Sequence, residues 1–581
     1  MCGIIGCISY RANKVLFEGL RRLEYRGYDS VGVALANNNE IIIKKDIGKI
    51  GEVHKKLNFL SPKTDLAIAH TRWATHGEVV KTNAHPHTDC KGKVVIVHNG
   101  IIENYQELKK FLKRKKHKIK SQTDSELIAH LIEEFFKDNF EAACKKAFSL
   151  LRGSFAILAI NNNEKKIVGM KKDSPLVIGL NKNESFAASD IYALLPFTKN
   201  FIFLYDYDFV VLQKGKAKIE NLVKGKVNRK IEKIDVDYGK SKKNFQHFMI
   251  KEILEQADIF EKAFEQEEGK IKKFVNEIKK ANKVIFVAAG TSYHACVAAS
   301  YLFSKAKIFS KAIVASEFDN FSDIVDENTL VIPVSQSGET ADVLQAVKKA
   351  KQRRAKIFSI INVYGSSLMR ESHDFLLMNA GFEIGVAATK TYIAQLAIFL
   401  LLYSKLTNKK IDKKAIKAKI LDLLSKSRRE HIEKIAKVLK DKQHIFLIGR
   451  GLQYTTALEA ALKIKEISYI HAEAFSGGEL KHGTISLIEK ATPCIVFVGK
   501  EKEKILANAE EIKARGGFII GVAEKNEEIF DLWIKIPEAQ GDEDLLIFQI
   551  IPMQLLAYRL SVLRGNDPDK PRNLAKSVTV I

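Results

Sequence analysis

Cys2 precedes Gly3, a context in which Met1 is easily removed, leaving a thiol and an α-amine on one residue. That amine has an ordinary pKa of about 7.7–8.0, so near neutrality part of it can accept the thiol proton, directly or through water. A terminal cysteine is thus a nucleophile with its own base, although any chain must have some residue in second place. Farther along, Ser335-Gln336-Ser337-Gly338-Glu339-Thr340 follows an apolar strand and precedes a helix-like run. Hydroxyls and backbone N–H groups there could hold an anion, or simply cap the helix. The segment lacks a Walker lysine, which favours one phosphate over a nucleoside triphosphate. Gly290-Thr291-Ser292 matches it one strand earlier and tips the balance to phosphate. Glu459, Lys463 and Glu466 fall at i, i+4 and i+7, on one face of a helix. Exposed ion pairing would explain that spacing. The dense polar run through His471-Ala472-Glu473 to Lys481-His482-Gly483, set among small apolar residues, favours a pocket. His85-Pro86-His87 offers two metal ligands where zinc needs four, and no Cys/His pair at finger spacing complements it. No metal is expected; loop packing is.

The elements that must hold these groups differ between the two parts of the chain. Up to about residue 235, short strands mix with helices. Ser154 to Ile160, the turn Asn161-Asn162-Asn163 and a strand through Ile167 and Val168 read as a hairpin, Val94 to Val97 as a buried strand, and 124–136 as a helix. This is an α+β domain of layered sheets. Residues 236–246 read as a linker. Thereafter strand–turn–helix units follow one another, the signature of parallel sheets covered on both faces. Gly290-Thr291-Ser292-Tyr293 is echoed by Gly451-Leu452-Gln453-Tyr454, each after an apolar strand, so 247–425 and 426–571 read as two related α/β units. The tail 572–581 is too apolar for a solvated end and should dock.

The 581 residues allow about three or four domains. A net charge of +25, from 94 Lys plus Arg against 69 Asp plus Glu, raises the question of nucleic acid. The basic run 109–116 nevertheless carries Leu108, Phe111 and Leu112 at helical spacing, so its lysines read as the wet face of an amphipathic helix. The excess is spread along the chain without a nucleic-acid motif, and it suits anionic substrates. The start lacks a secretory signal, and the apolar run 392–403, broken by Gln395, is too short to span a bilayer. Six scattered cysteines point to a reducing cytoplasm rather than a disulfide framework. Neither nucleic acid nor membrane is expected as a partner.

Cys2-Gly3-Ile4-Ile5-Gly6, Arg26-Gly27-Tyr28-Asp29-Ser30, His70-Thr71-Arg72-Trp73-Ala74-Thr75-His76-Gly77, His98-Asn99-Gly100 and Thr123-Asp124-Ser125-Glu126 together resemble the class II glutamine amidotransferases. The resemblance implies a layered αββα N-terminal nucleophile domain that hydrolyses glutamine through a γ-glutamyl thioester on Cys2. By it, Arg72 grips the α-carboxylate, Asp124 holds the α-ammonium, and Thr75, His76 and Gly77 help bind glutamine. Asn99 and the Gly100 N–H form the oxyanion hole. Trp73 resembles the gate of the ammonia route, with plain packing as the competing reading.

Residues 247–581 resemble the paired sugar-isomerase domains of the glutamine–fructose-6-phosphate aminotransferases, including the tail Asn573-Leu574-Ala575-Lys576-Ser577-Val578-Thr579-Val580. That family resemblance implies amination and isomerisation of D-fructose 6-phosphate with ammonia from L-glutamine passed internally, and no metal or organic cofactor. Thr291, Ser292, Ser335, Gln336, Ser337, Thr340 and Val386 would line the sugar-phosphate site, with Lys463 beside the open-chain sugar. Lys576 would form a Schiff base, Glu466 would move the proton between C1 and C2, and His482 would assist ring opening from a neighbouring subunit of a homodimer. The family commonly has Cys, Ser and Pro where Ala289, Ala388 and Thr484 stand, which bears on sugar contacts rather than on the reaction. Amination of a different phosphosugar, or a non-catalytic phosphosugar sensor, are the alternatives.

Overall fold

The structure is a computed structural model that describes residues 2–37, 40–74, 76–234 and 245–579. Thr75, Val580 and all of the linker 236–246 except its last two residues lie outside the described residues. The chain divides into two compact units, Met1–Tyr238 with Ala575–Ile581, and Gly239–Leu574.

In the first unit two antiparallel sheets face each other. Gly3–Ile8 lies inside an eight-stranded sheet between Ser185–Ala188 and Leu66–Arg72. Val94–Ile102 belongs to the second, seven-stranded sheet, paired to Gly153–Asn161. Ile4, Ile68 and Ile178 of one sheet meet Val95, Val97 and Leu158 of the other in a common core. Strand alternation sends the next residues to the opposite faces, where helices cover them. Ala12–Leu23 buries Val15, Leu16 and Leu20, and Glu126–Phe135 buries Leu127, Ile128, Leu131 and Ile132 against the second sheet. Each such side chain contributes roughly 1.5–3 kcal/mol on leaving water. The layers are therefore helix, sheet, sheet, helix. The hairpin expected around Asn162 is present, with Ala159 opposite Val168. The basic run forms the exposed side of Tyr105–Arg114, whose Leu108 and Leu112 point inward.

The second unit contains two five-stranded parallel sheets of the same order. One runs Ser310–Val314, Lys283–Ala288, Thr329–Ser335, Lys356–Ile361, Asp374–Leu377; the other His471–Ser476, His444–Gly449, Pro493–Phe497, Phe518–Ala523, Leu532–Lys535. Gly290 and Gly451, with φ of 54° and 55°, occupy the same turn after the second strand of each sheet. The echo seen in the sequence is thus a structural duplication. The run 392–403 sits within the buried helix Lys390–Thr407. The chain's most extended apolar helix is another one, Asp542–Leu563. Among the described residues it alone is long and apolar enough to cross a membrane by length and composition, but 89% of its apolar window is buried. Its neighbours, Leu452–Ser468 and Lys426–Leu439, pack the core around it.

Candidate active site

The register of the first sheet places Cys2. Gly3 pairs with Thr71, so the residue before Gly3 lies beside the end of Leu66–Arg72. Cys2 Sγ is 3.3 Å from both the N–H and the carbonyl oxygen of Trp73. Burial pushes its thiol up, against the Trp73 N–H and the Arg72 guanidinium, which favour thiolate. A base is therefore needed to ionise it. Asp29 braces this corner: its backbone N–H donates to the Arg72 carbonyl at 3.0 Å, and its carboxylate accepts from the Ala74 N–H at 2.8 Å. The buried Arg26, paired to Asp190 at 2.7 Å, anchors the same segment. Trp73 is half-buried and meets Tyr28 edge to face at 5.8 Å.

Asn99 lies on the facing sheet and donates its side-chain amide to the Cys2 carbonyl at 2.9 Å. This bond ties the two sheets together at the nucleophile and leaves the amide's second hydrogen for an oxyanion. Gly100 has φ 123°, and a Cβ there would lie 1.9 Å from the Ser154 carbonyl oxygen. Only glycine fits. If the Gly100 N–H is the oxyanion donor that the resemblance implies, Gly100→Ala, by forcing this N–H away from its place through the clash with Ser154, is expected to lower glutamine hydrolysis about 10²-fold or more while phosphosugar isomerisation persists. Glutamate release and sugar isomerisation measured on the same preparation check this.

Arg72 is buried, and its guanidinium donates to the carbonyls of His76, Gly77 and Glu78. Both hydrogens of one terminal nitrogen are spent on the first two. A bidentate grip on a carboxylate through that nitrogen requires the 76–78 turn to release at least one of them, which sequence spacing does not reveal. His76 itself is half-buried and packs on Tyr105 at 5.2 Å. Asp124, also buried, accepts the Ile102 N–H at 2.7 Å. Ser125 bridges the Asp124 carboxylate to His98 Nδ1, at 3.3 and 2.8 Å. His85 stacks on His70 at 4.0 Å and meets His87 at 4.5 Å. Burial pushes His70 down to about 3 and lowers His85 and His87 as well, so these rings are neutral packing groups.

In the second unit, Lys283–Ala288 and Thr329–Ser335 are adjacent parallel strands, so the turns after them open side by side at the carboxyl edge. That edge is where open α/β sheets hold ligands. Ser335 Oγ accepts the Gly338 N–H at 3.0 Å and lies 3.1 Å from Thr340 Oγ1. The Ser337 hydroxyl accepts the Glu339 N–H at 3.1 Å. Gln336 is half-buried beside them.

Helix Leu452–Ser468 brings its polar face to the first of these turns. Lys463 Nζ donates to Thr291 Oγ1 at 2.9 Å and to Glu466 at 2.5 Å, and lies 3.4 Å from Glu459. Glu459 also accepts from the Thr291 hydroxyl at 3.1 Å and pairs with His294 at 2.8 Å. Ser292 accepts from the buried Gln395 at 2.9 Å. Lys463 and Glu459 are fully buried. Burial by itself depresses the Lys463 ammonium, but Glu459 and Glu466 outweigh it and hold the group above the usual lysine range. Glu459, marked in the sequence by its i, i+4 spacing to Lys463, gathers Thr291 and His294 here, and His294 carried no signal in the sequence.

Three further candidates complete the set. Val386 is buried and donates its backbone N–H to the Asp569 carbonyl at 3.2 Å. His482 is exposed on the turn Glu479–His482. Lys576 is half-buried in the segment that groups with the first unit.

A glutamine amidotransferase domain matches residues 70–196, and SIS domains match 277–405 and 438–564. Over 604 residues the chain is 46% identical to the glutamine–fructose-6-phosphate aminotransferase [isomerizing] of Thermococcus kodakarensis, covering both proteins completely. The chain belongs to the glutamine–fructose-6-phosphate aminotransferase family. The family member of Methanothermobacter thermautotrophicus is 42% identical, again over the whole of both chains. Among solved structures, the C-terminal domain of the Francisella tularensis aminotransferase of this family matches 57% of this chain and all of its own, with a TM-score of 0.53 and 35% identity. The family thus unites the layered glutaminase fold with duplicated parallel-sheet sugar domains in one chain.

Proposed function

We propose that the chain converts L-glutamine and D-fructose 6-phosphate into L-glutamate and D-glucosamine 6-phosphate, the entry to amino-sugar synthesis. Once Met1 is removed, Cys2 Sγ attacks the glutamine carboxamide carbon and its proton passes to the α-amine. Asn99 and the Gly100 N–H hold the oxyanion, Arg72 the α-carboxylate and Asp124 the α-ammonium, with Thr75, His76 and Gly77 around them. The C–N bond breaks, the nitrogen leaves protonated as ammonia, and water hydrolyses the thioester. Trp73 gates the ammonia on its way to the sugar.

At the sugar, Ser292, Ser335, Gln336, Ser337 and Thr340 receive the phosphate, with Thr291 and Val386 at the border. His482 assists ring opening and Lys576 condenses with the C2 ketone, losing water. Ammonia displaces the lysine, and Glu466 then carries a proton from C1 to C2, giving the aldose. The raised ammonium of Lys463 supports this division of labour: a lysine held protonated is poorly suited to imine formation, but well suited to stabilising charge beside the sugar. We assign 1–235 to the glutaminase domain, 236–246 to the linker, 247–425 and 426–571 to the two sugar domains and 572–581 to the tail. An exposed His482 fits a homodimer in which each chain completes the other's sugar site. Six free cysteines fit a cytoplasmic setting.

The observation that carries the reading is that one chain holds both a braced, half-buried thiol facing Asn99 and a buried Lys–Glu–Thr network at the carboxyl edge of a parallel sheet. Purified protein incubated with glutamine and a panel of phosphosugars should aminate fructose 6-phosphate in preference to all others. Preference for another sugar would replace the acceptor, and absence of glutamate release would remove the glutaminase.

A further inference from the structure

Outside both sites, the first unit gathers Cys90, His117, His130 and Glu133, with one ligand atom of each within 4.8 Å of all the others. We propose that these four residues bind a zinc-type divalent cation as a closed structural site.

Four of the six spacings among these ligand atoms match the edges of a tetrahedral zinc site. Zinc bonds of about 2.3 Å to sulfur and 2.0–2.1 Å to nitrogen or oxygen put S···N edges at about 3.5 Å and N···O edges at about 3.4 Å. Cys90 Sγ is 3.7 Å from His117 Nδ1 and 3.5 Å from His130 Nδ1. Glu133 Oε2 is 3.1 and 3.5 Å from the same two nitrogens. Both rings thus turn Nδ1 inward, and each Nε2 meets a carboxylate on the outside. His117 Nε2 lies 3.1 Å from Glu134, and His130 Nε2 lies 3.5 Å from Glu126. Such outer carboxylates fix the tautomer and orientation of metal-binding histidines. The Lys118 N–H donates to Cys90 Sγ at 3.4 Å, a contact that stabilises a thiolate.

Charge balances as well. On binding, the Cys90 thiol loses its proton to solvent, and thiolate plus the Glu133 carboxylate neutralise a divalent ion held by two neutral imidazoles. Four protein ligands leave no position for substrate, so the role is structural. The ion would join three segments distant in sequence. Cys90 lies in the turn between His87–Thr88 and Val94–Ile102, His117 lies just past Tyr105–Arg114, and His130 and Glu133 sit on Glu126–Phe135. The first of these strands to follow Cys90 carries Asn99 and Gly100, and the helix starts two residues after Asp124, so the ion would stiffen the frame of the glutamine pocket. The sequence signal is irregular, Cys-x26-His-x12-His-x2-Glu, which matches no finger spacing.

The test uses the full-length, untagged chain from zinc-replete cells, with metal content measured after desalting. A single zinc per chain is expected, falling at least about tenfold in Cys90→Ser. Cobalt loading should give tetrahedral bands with a thiolate charge-transfer band that disappears in Cys90→Ser and persists in Cys2→Ala. Strong chelator should lower the thermal unfolding midpoint of the wild type and leave that of Cys90→Ser unmoved. Negligible zinc with no charge-transfer band on cobalt titration would overturn the site and leave a metal-free His–Glu hydrogen-bond cluster. A band that follows Cys2 instead of Cys90 would overturn it equally.

Discussion

Cys2→Ala is expected to abolish glutamine hydrolysis and glutamine-dependent amination, by about 10³-fold or more, while isomerisation of the sugar phosphate survives within a few fold. The size of the effect follows from the chemistry: without the thiol there is no thioester. The two activities should separate because the sugar network of Thr291, Glu459, Lys463 and Glu466 is built within the other unit. Burial raises the Cys2 thiol, so its ionisation depends on a neighbouring base, which in the proposed mechanism is the α-amine exposed by loss of Met1. A chain retaining Met1 should therefore behave like Cys2→Ala. Glutamate release, sugar isomerisation and the N-terminal mass of one preparation decide the matter. Glutaminase activity in Cys2→Ala would refute the nucleophile.

Lys463→Met should damage both the stability and the chemistry of the sugar domains. Lys463 is fully buried between Glu459 and Glu466, and methionine keeps its length while removing the charge. Breaking a buried pair costs about 3–5 kcal/mol, because the carboxylate left behind has lost its compensation. Glu459 retains Thr291 and His294, which places the expected loss toward the lower end. Sugar isomerisation should fall about 10²-fold or more through loss of a preorganised charge, with glutamine hydrolysis much less affected. The pH dependence has a definite sign. Because the folded ammonium is held above the ordinary lysine value of about 10.4, its stabilising contribution is complete below that value. It is lost only as pH rises through the higher folded value. Denaturant unfolding at neutral and strongly alkaline pH should show the wild type losing an increment that Lys463→Met lacks throughout. An unchanged midpoint at neutral pH would show that the network contributes nothing to stability.

Motifs contiguous in sequence were legible without coordinates. Cys2-Gly3, His98-Asn99-Gly100 and Ser335 to Thr340 each occupy one turn or strand end, so their chemistry is written in neighbouring residues. The echo of Gly290 by Gly451 exposed the duplication for the same reason, since a positive-φ turn after a strand is a local demand. Apolar runs bounded by turns and helical spacing likewise marked the layered first unit, and strand–turn–helix repetition marked the parallel sheets of the second. What tertiary structure decided lies between segments. Strand register set Cys2 against Trp73 and Asn99. The 76–78 turn bound the guanidinium of Arg72, Glu459 became the hub that Thr291, His294 and Lys463 share, and Cys90, His117, His130 and Glu133 converged from three elements. Periodicity in a sequence reports which face of one element is buried; which side chains meet across elements depends on sheet order and register.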